Sequence, residues 1–180
     1  VRVDYTLTDD NELRIEYTAT TDRPTVVNLS NHSYFNLSGA KESVLGHYVR
    51  IFAKDYVVTD GDLIPTGEIA KVKGTPLDLR RWTRIGDRMD RLPNGFDNSY
   101  CVAGRSGRKP VLVAELYDPV SGRELKTFTT QPGLCFYTAK TLNIRANTRH
   151  GHPYSASWGA CFETQHHPDS PNHPNFPTTV

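Results

Sequence analysis

The chain has 180 residues, of which 37% are hydrophobic and 23% charged, and its formal net charge is +1. This composition is typical of a globular protein with a core and excludes a disordered chain. The balanced charge predicts no nucleic-acid partner, and the absence of an apolar run of roughly 18 residues predicts no membrane span.

Alternation of apolar and polar residues with period two dominates the sequence. Residues 3–7 and 13–19 alternate on either side of a polar turn and therefore predict a hairpin. The further predicted strands are residues 25–29, 48–53, 56–59, 69–72, 100–103, 111–117, 124–130, 134–138 and 158–164. Many short strands joined by Gly- and Pro-containing turns are typical of an all-β, antiparallel β-sandwich.

Two segments do not fit the strand pattern. Residues 83–92 predict the one plausible helix, which Gly86 weakens. Residues 166–177 are rich in proline, so we expect an ordered loop or a rigid extended wall there. The sequence contains no evident repeat or linker, which favours one domain.

The cysteines and histidines carry little metal-binding signal. Cys101, Cys135 and Cys161 lie in apolar stretches without metal-ligand spacing, so we expect free thiols in a reducing compartment, the cytoplasm. The three histidines within residues 166–173 lie in a proline-rich loop without an accompanying cysteine. We therefore predict no metal, and without a phosphate-binding glycine loop we predict no cofactor.

Polar side chains interrupt apolar stretches at three places. His32 and three asparagines lie in the aromatic segment 28–36, where their alternative role is to satisfy turn backbone. Asp97 precedes a predicted strand and has the same alternative. Glu163 ends the apolar run 158–162, where a carboxylate is costly unless it is paired or hydrogen-bonded. Residue types alone leave both roles open at each place.

A series of motifs between residues 28 and 177 carries a resemblance to a known family. They are NLSNHSYFNLSG at 28–39, PTGEI at 65–69, GFD at 95–97, SGR at 121–123, TTQPG at 129–133, FETQ at 162–165 and PDSPNHP at 168–174. In this order they resemble the signatures of the aldose 1-epimerases. The resemblance implies a large galactose mutarotase-like β-sandwich and the interconversion of the α and β anomers of a free hexose such as glucose or galactose.

The resemblance also implies a role for individual residues. His32 would be the general acid that protonates the ring oxygen of the sugar, and Glu163 the general base that deprotonates the anomeric hydroxyl. Asp97 would hold sugar hydroxyls. The remaining predicted sugar contacts are Asn31, Cys135 and Tyr137.

The chemistry requires such groups independently of the family. Opening a hemiacetal at neutral pH needs one proton delivered and one removed, which an imidazole and a carboxylate on opposite sides of the ring would supply. We expect desolvation to raise the pKa of Glu163 and a nearby carboxylate to keep His32 protonated. The aromatic walls predicted for a wide polar cleft are Tyr34, Phe35, Phe136 and Tyr137.

The sequence departs from the family pattern at two places. Asn98 and Ser99 replace a His-Asn pair, and Cys135 replaces a glutamine that contacts galactose in related mutarotases. Because a thiol is a poorer hydrogen-bond donor than an amide, the resemblance predicts a hexose without specifying galactose.

Members of the family are longer than this chain, and their N-terminal half contributes to the sugar site. We therefore expect residues 1–180 to form a single β-sandwich domain that lacks this half and the last C-terminal strand. A complementary N-terminal segment of the same protein would then cover sheet edges that otherwise promote aggregation.

Two other functions remain open at this point, along with a structural fragment that has no activity. One is a non-catalytic carbohydrate-binding β-sandwich that retains the pocket. The other is a phosphosugar 1-epimerase relative, which would need a cation such as Arg80, Arg81 or Arg145 to meet the phosphate. In each of the sugar-binding alternatives the partner is a small sugar.

Overall fold

A computed structural model of the protein describes residues 1–92, 94–104, 108–145 and 148–180. Its strands are β1 (Arg2–Leu7), β2 (Leu13–Thr18), β3 (Tyr48–Ile51), β4 (Asp55–Thr59), β5 (Pro65–Lys71), β6 (Thr83–Arg84), β7 (Asp97–Cys101), β8 (Val111–Tyr117), β9 (Glu124–Thr129), β10 (Gly133–Tyr137) and β11 (Cys161–Gln165). The 3₁₀ helices are Val44–Gly46, Ile85–Arg91 and Ser170–Asn172. The all-β prediction is confirmed.

The strands form two larger antiparallel sheets and one separate hairpin. Five strands pair in the order β11-β10-β7-β4-β5, and four pair in the order β6-β3-β8-β9. Side chains from both sheets join one hydrophobic core, for example Ile51 and Leu116 from the four-stranded sheet and Phe136 from the five-stranded sheet. This is the predicted antiparallel sandwich.

The segment predicted to be helical, residues 83–92, folds differently. It begins with the two-residue strand β6 and continues as the 3₁₀ helix Ile85–Arg91, in which Ile85 is the buried residue. An amphipathic α-helix needs a stripe of apolar side chains that faces the core. Ile85, Met89 and Leu92 supply such a stripe and pack on the core, but the seven residues Ile85–Arg91 form a 3₁₀ helix instead of an α-helix.

The predicted N-terminal hairpin is confirmed, with β1 and β2 paired from Arg2–Thr18 to Leu7–Leu13. Its apolar side chains are largely exposed, with Tyr5 at 59% and Leu7 at 78%. One link to the region around His32 is a 3.1 Å hydrogen bond that the Asn31 amide donates to the Tyr5 hydroxyl.

The five-stranded sheet has one apolar and one polar face. Residues directly opposite each other in paired antiparallel strands point to the same side. Leu134 and Phe136 of β10 point into the core, where both are fully buried. The residues between and after them, Cys135 and Tyr137, point to the other side, which we call the polar face.

Residues 28–36 lie along the outer edge of β11. The Asn28 side chain exchanges two hydrogen bonds with the backbone of His166, at 2.9 and 3.2 Å. Phe35 forms an isolated antiparallel bridge with Ala160. The segment predicted as a strand at residues 25–29 is not a regular strand, and the side chain of Asn28 takes the place of backbone pairing with β11.

The proline-rich segment 166–177 is an ordered wall, as expected. His173 Nε2 lies 3.1 Å from the Pro65 carbonyl oxygen, and the Asn175 amide donates a 2.9 Å hydrogen bond to the Gly67 carbonyl. Gly67 has φ of +87°, and a Cβ there would come within 2.7 Å of His173 Nδ1. Both observations explain the glycine of the PTGEI motif.

In the part of the chain that the structure describes, the helices are too short to cross a lipid bilayer. The three cysteines are free, as predicted; Cys161 is buried and the other two are partly buried.

Candidate active site

His32 and Glu163 meet on the polar face although 131 positions separate them in the sequence. Glu163 is fixed by β11, whereas His32 comes from the irregular segment along the edge of that strand. The distance from His32 Nε2 to Glu163 Oε1 is 3.5 Å. The Glu163 side chain is 14% exposed and the His32 side chain 50%, so a solute can approach the pair from the imidazole side.

Strand register places three more predicted site residues on the same face. Cys135 is directly opposite Glu163, and Tyr137 is directly opposite Asp97. The Cys135 thiol donates a long hydrogen bond of 3.9 Å to Asp97 Oδ1. The site is therefore built from β7, β10 and β11, with Cys135 between the two carboxylates.

Burial raises the pKa of both carboxyl groups. Desolvation is the main cause for Glu163, and the Asp97 carboxylate adds to it while His32 acts in the opposite direction. The pKa of Asp97 is also raised by burial and is likewise opposed by His32. The expected upward shift for Glu163 is thus present, and a raised pKa suits a carboxylate that must accept a proton.

The Cys135 thiol is held in its neutral form. Burial raises its pKa, and the Glu163 and Asp97 carboxylates raise it further. A neutral thiol is a weak donor of one hydrogen bond, so Cys135 cannot provide the two amide donors of the glutamine that it replaces.

The aromatic wall includes half of its predicted members. The ring centroids of Tyr34 and Tyr137 lie 5.0 and 6.0 Å from that of His32 and 6.4 Å from each other. Phe136 is instead fully buried in the core, and Phe35 packs against the same core. The prediction of Phe35 and Phe136 as cleft walls was wrong, because the strand alternation at Phe136 and the pairing of Phe35 with Ala160 turn both rings inward.

The Asn31 side chain forms local hydrogen bonds of the kind found in Asx turns. Its Oδ1 accepts a 3.1 Å hydrogen bond from the Ser33 backbone amide, and its Nδ2 donates to the Tyr5 hydroxyl. These bonds fix the backbone next to His32. A sugar contact for Asn31 stays a prediction.

The polar face also carries residues that sequence reasoning did not assign to the site. Cys161 precedes Glu163 by two positions on β11, and this i, i+2 spacing is the signal that could have placed it on the same face. His167 covers the other end of the face, with Nδ1 2.8 Å from Ser99 Oγ and Nε2 3.6 Å from Cys101 Sγ.

Two cavities lie away from this pair. One, of about 480 Å³, is lined by Gly74, Thr75, Asp78, Arg80, Arg81, Thr83, Arg88 and Arg91. The other, of about 370 Å³, is lined by Ser38, Lys41, Glu42, Ser43, Gly46, His47, Asp118, Val120, Ser121 and Arg123. Neither includes His32, Asp97 or Glu163.

The cations considered for a phosphosugar do not support that function. Arg80 and Arg81 line the larger cavity, and Arg80 forms a salt bridge of 2.7 Å with Asp78. Arg145 is exposed and donates to Asn143 at 3.3 Å. None of these contacts involves the residues of the candidate active site.

A model of the aldose 1-epimerase family matches residues 1–180. The chain belongs to the aldose 1-epimerase family. The resemblance read from the motifs is therefore confirmed.

Relatives of this family match the chain over its whole length. Human galactose mutarotase is 43% identical over 182 aligned residues, which cover 100% of this chain and 52% of the relative. The aldose 1-epimerase of Escherichia coli K12 is 36% identical over 180 residues, which cover 97% of this chain and 51% of the relative. The chain thus spans about half the length of the curated relatives it matches.

Solved structures of the same family share the fold. The aldose epimerase homologue from C. elegans superposes with a TM-score of 0.86 at 29% identity, covering 98% of this chain and 53% of the homologue. Galactose 1-epimerase from Lactobacillus acidophilus NCFM gives a TM-score of 0.73 at 27% identity, covering 91% of this chain and 47% of that protein.

Proposed function

We propose that the protein interconverts the α and β anomers of a free hexose such as glucose or galactose, as an aldose 1-epimerase. The observation that carries this proposal is the separation of 3.5 Å between His32 Nε2 and Glu163 Oε1 on the polar face. An acid and a base this close to each other can act on one carbon atom. The names of the human and bacterial relatives support the same activity.

The reacting carbon of a pyranose carries both oxygens that exchange protons. His32 donates a proton to the ring oxygen while Glu163 accepts the proton of the anomeric hydroxyl. The bond between the carbon and the ring oxygen breaks, and the electron pair of the O–H bond forms the carbonyl. Rotation about the bond to the next carbon presents the other face of the aldehyde, and ring closure by the reverse transfers gives the other anomer.

The measured separation changes one part of the expected geometry. No sugar ring fits between atoms that are 3.5 Å apart, so the two groups do not stand on opposite sides of the ring. The sugar instead lies over the pair, with both oxygens of its anomeric carbon directed toward the sheet. Half of the His32 side chain is exposed on the side from which the sugar would arrive.

The other residues of the polar face would orient the sugar. Asp97 would accept hydrogen bonds from sugar hydroxyls. Tyr34 and Tyr137, both next to His32, would cover the apolar face of the ring. Cys135 would contact the substrate through one weak donor, which favours tolerance toward different hexoses.

The setting of this activity is part of the same proposal. A further segment of the same protein would complete the sugar site, which is supported by the half-length coverage of the relatives. The one-domain organisation of residues 1–180 is proposed on the single core shared by the two larger sheets. Free cysteines support a cytoplasmic location.

Polarimetry tests the proposed activity directly. Freshly dissolved α-glucose and α-galactose are followed toward anomeric equilibrium with the wild-type chain, Glu163→Gln and His32→Asn. We expect each substitution to reduce the catalysed rate by about a hundred- to ten-thousandfold, the usual contribution of an acid or base. The matched control is Glu68→Gln, which removes an exposed carboxylate on β5 and should retain the wild-type rate.

Each alternative predicts a different result. A wild-type rate equal to that of buffer rejects the enzyme, and sugar binding without acceleration identifies a carbohydrate-binding module. Retention of the full rate in both Glu163→Gln and His32→Asn would reject the assigned roles while leaving the activity in place.

A further inference from the structure

Three side chains on the polar face bring different metal-ligand atoms together. A nitrogen of His32, the sulfur of Cys161 and a carboxylate oxygen of Glu163 all lie within 4.8 Å of one another. Cys161 and Glu163 share a face because they are two positions apart on β11. His32 approaches them from the segment along the edge of β11. Two of the three ligands are therefore fixed by a strand, and the third is a half-exposed side chain.

The donor set has a recognisable chemical preference. Imidazole nitrogen, thiolate sulfur and carboxylate oxygen are the ligands of Zn²⁺, at distances of about 2.0–2.3 Å. Closing a cluster of 4.8 Å around such an ion requires a movement of roughly one ångström. The half-exposed His32 side chain has room to supply part of this movement, and a change of side-chain rotamer on β11 would supply the rest. Hard cations such as Mg²⁺ prefer oxygen ligands and do not match this set.

We propose that His32, Cys161 and Glu163 form a binding site for a thiophilic divalent cation of the zinc type, and that the bound ion prevents the sugar reaction. As the metal–sulfur bond forms, the Cys161 thiol releases its proton to water, and no group is oxidised or reduced. The three side chains leave the fourth position of a tetrahedral ion to water.

The inhibitory effect follows from the atoms that the ion occupies. A metal-bound His32 nitrogen cannot donate a proton to the ring oxygen, and a metal-bound Glu163 oxygen cannot accept one. Binding of the ion is therefore independent of the proposed function, whereas inhibition rests on it.

A second thiol on the same face provides the matched control. Cys101 Sγ lies 3.6 Å from His167 Nε2, and the carboxylate directly opposite Cys101, that of Asp55, is engaged by Lys71 at 2.7 Å. Cys101 is partly buried, and its substitution by serine removes the thiol with little change of side-chain volume. If zinc-type ions simply prefer any thiol next to an imidazole, Cys101 will carry the signal.

Titration of the purified chain with Cd²⁺ measures the site through the ultraviolet charge-transfer absorbance of a cadmium–thiolate bond. We expect the band in wild type and in Cys101→Ser, and its loss in Cys161→Ser. His32→Asn should keep the band with an affinity at least about tenfold weaker, since even the outer partners of metal ligands contribute this much. An excess of Mg²⁺ should not compete. His32→Asn alters a partly exposed side chain, so its result stands even if Cys161→Ser fails to fold.

A band that persists in Cys161→Ser, disappears in Cys101→Ser or is unaffected by His32→Asn would overturn the site. Polarimetry with added Zn²⁺ distinguishes failure of the metal site from failure of the proposed function. A Cys161-dependent band without any basal epimerase rate rejects the function alone, and a basal rate without that band rejects the metal site alone. If both exist and Zn²⁺ leaves the rate unchanged, the inhibition is rejected.

Discussion

The two faces of the five-stranded sheet are made by the same strands and differ in what they contain. On the core side of β10, Leu134 and Phe136 are fully buried, and Phe162 of β11 packs on Phe136 with ring centroids 5.1 Å apart. On the polar side, Cys135 stands opposite Glu163. A shift of one residue in the register would exchange these two sets.

This difference shows how the fold separates stability from chemistry. The core face removes apolar area from water, which stabilises the sandwich. The polar face places Asp97 and Glu163 where burial raises their pKa, which costs stability and prepares proton transfer. Substitutions on opposite faces should therefore act on different properties.

The largest expected effect on stability belongs to the core face. Phe136→Ala should lower the free energy of unfolding by about 3–5 kcal/mol, because the cavity of a fully buried ring is only partly filled by its neighbours. Urea denaturation measures this loss. The adjacent Cys135→Ala, on the polar face, should cost clearly less. Equal losses would mean that the two faces contribute alike.

The next effect concerns His167 at the covered end of the polar face. Burial lowers the pKa of His167 from 6.5 to about 4, with a smaller contribution from His166. Between these values the unfolded chain binds the proton and the folded chain does not. Stability should therefore fall by about 3 kcal/mol as the pH decreases from 6.5 to 4, at 1.36 kcal/mol per pKa unit.

Urea denaturation across this pH range measures the slope, and His167→Gln provides the comparison. The variant should lose stability less steeply than wild type between pH 4 and 6.5, and part of the slope that remains comes from His47 and His166, whose pKa burial also lowers. A wild-type stability that stays constant over the range, or an equally steep loss in His167→Gln, would show that this histidine is not the group responsible.

A smaller effect is expected where His167 packs on the sheet. A Cβ at Gly133 would lie 2.8 Å from the Gln165 carbonyl oxygen and 2.9 Å from His167 Nδ1. Gly133→Ala should therefore destabilise the protein by about 1–3 kcal/mol, the range for overpacking. Gly46→Ala is the matched control, because nothing lies within 4 Å of its Cβ position. Thermal unfolding of both variants checks the difference, and equal midpoints would contradict the close packing.

Hydrophobic alternation predicted the architecture well where one side of a strand is apolar. Residues 111–117 and 134–138 were predicted as strands and correspond to β8 and β10. The start of β7 was missed, because Asp97 and Ser99 are polar residues on its outward face and give no apolar signal. The same polar face that hides the strand from a pattern is the one that carries the site.

The candidate site was predictable in its members and not in its geometry. Motif resemblance named His32 and Glu163, but their 3.5 Å contact depends on the placement of an irregular segment along β11. Side-chain bonds of Asn28 and Ser30 to the backbone of residues 164–166 set that placement. Such long-range side-chain pairing has no periodicity in the sequence, so the local pattern does not contain it.

The smallest expected effect is a gain of stability on the polar face. Because burial raises the pKa of Glu163 above its ordinary value of 4.5, the folded chain holds this proton more strongly than the unfolded chain does. The contribution of the carboxyl group to stability is therefore full below 4.5 and is lost as the pH rises through the folded pKa. Because glutamine does not ionise, Glu163→Gln should not lose this stability as the pH rises.

The variant should accordingly be more stable than wild type near neutral pH, by about 0.5–2 kcal/mol, the range that stabilising substitutions commonly give. This difference in stability should decrease toward acidic pH. Urea denaturation of both proteins at about pH 4 and pH 7 measures the difference, and the exposed Glu68→Gln should show none. If Glu163→Gln is instead the less stable protein at neutral pH, the attraction between the Glu163 carboxylate and His32 exceeds the desolvation of Glu163. The polar face would then stabilise the fold as well as carry the chemistry, and the separation of roles between the two faces would not hold.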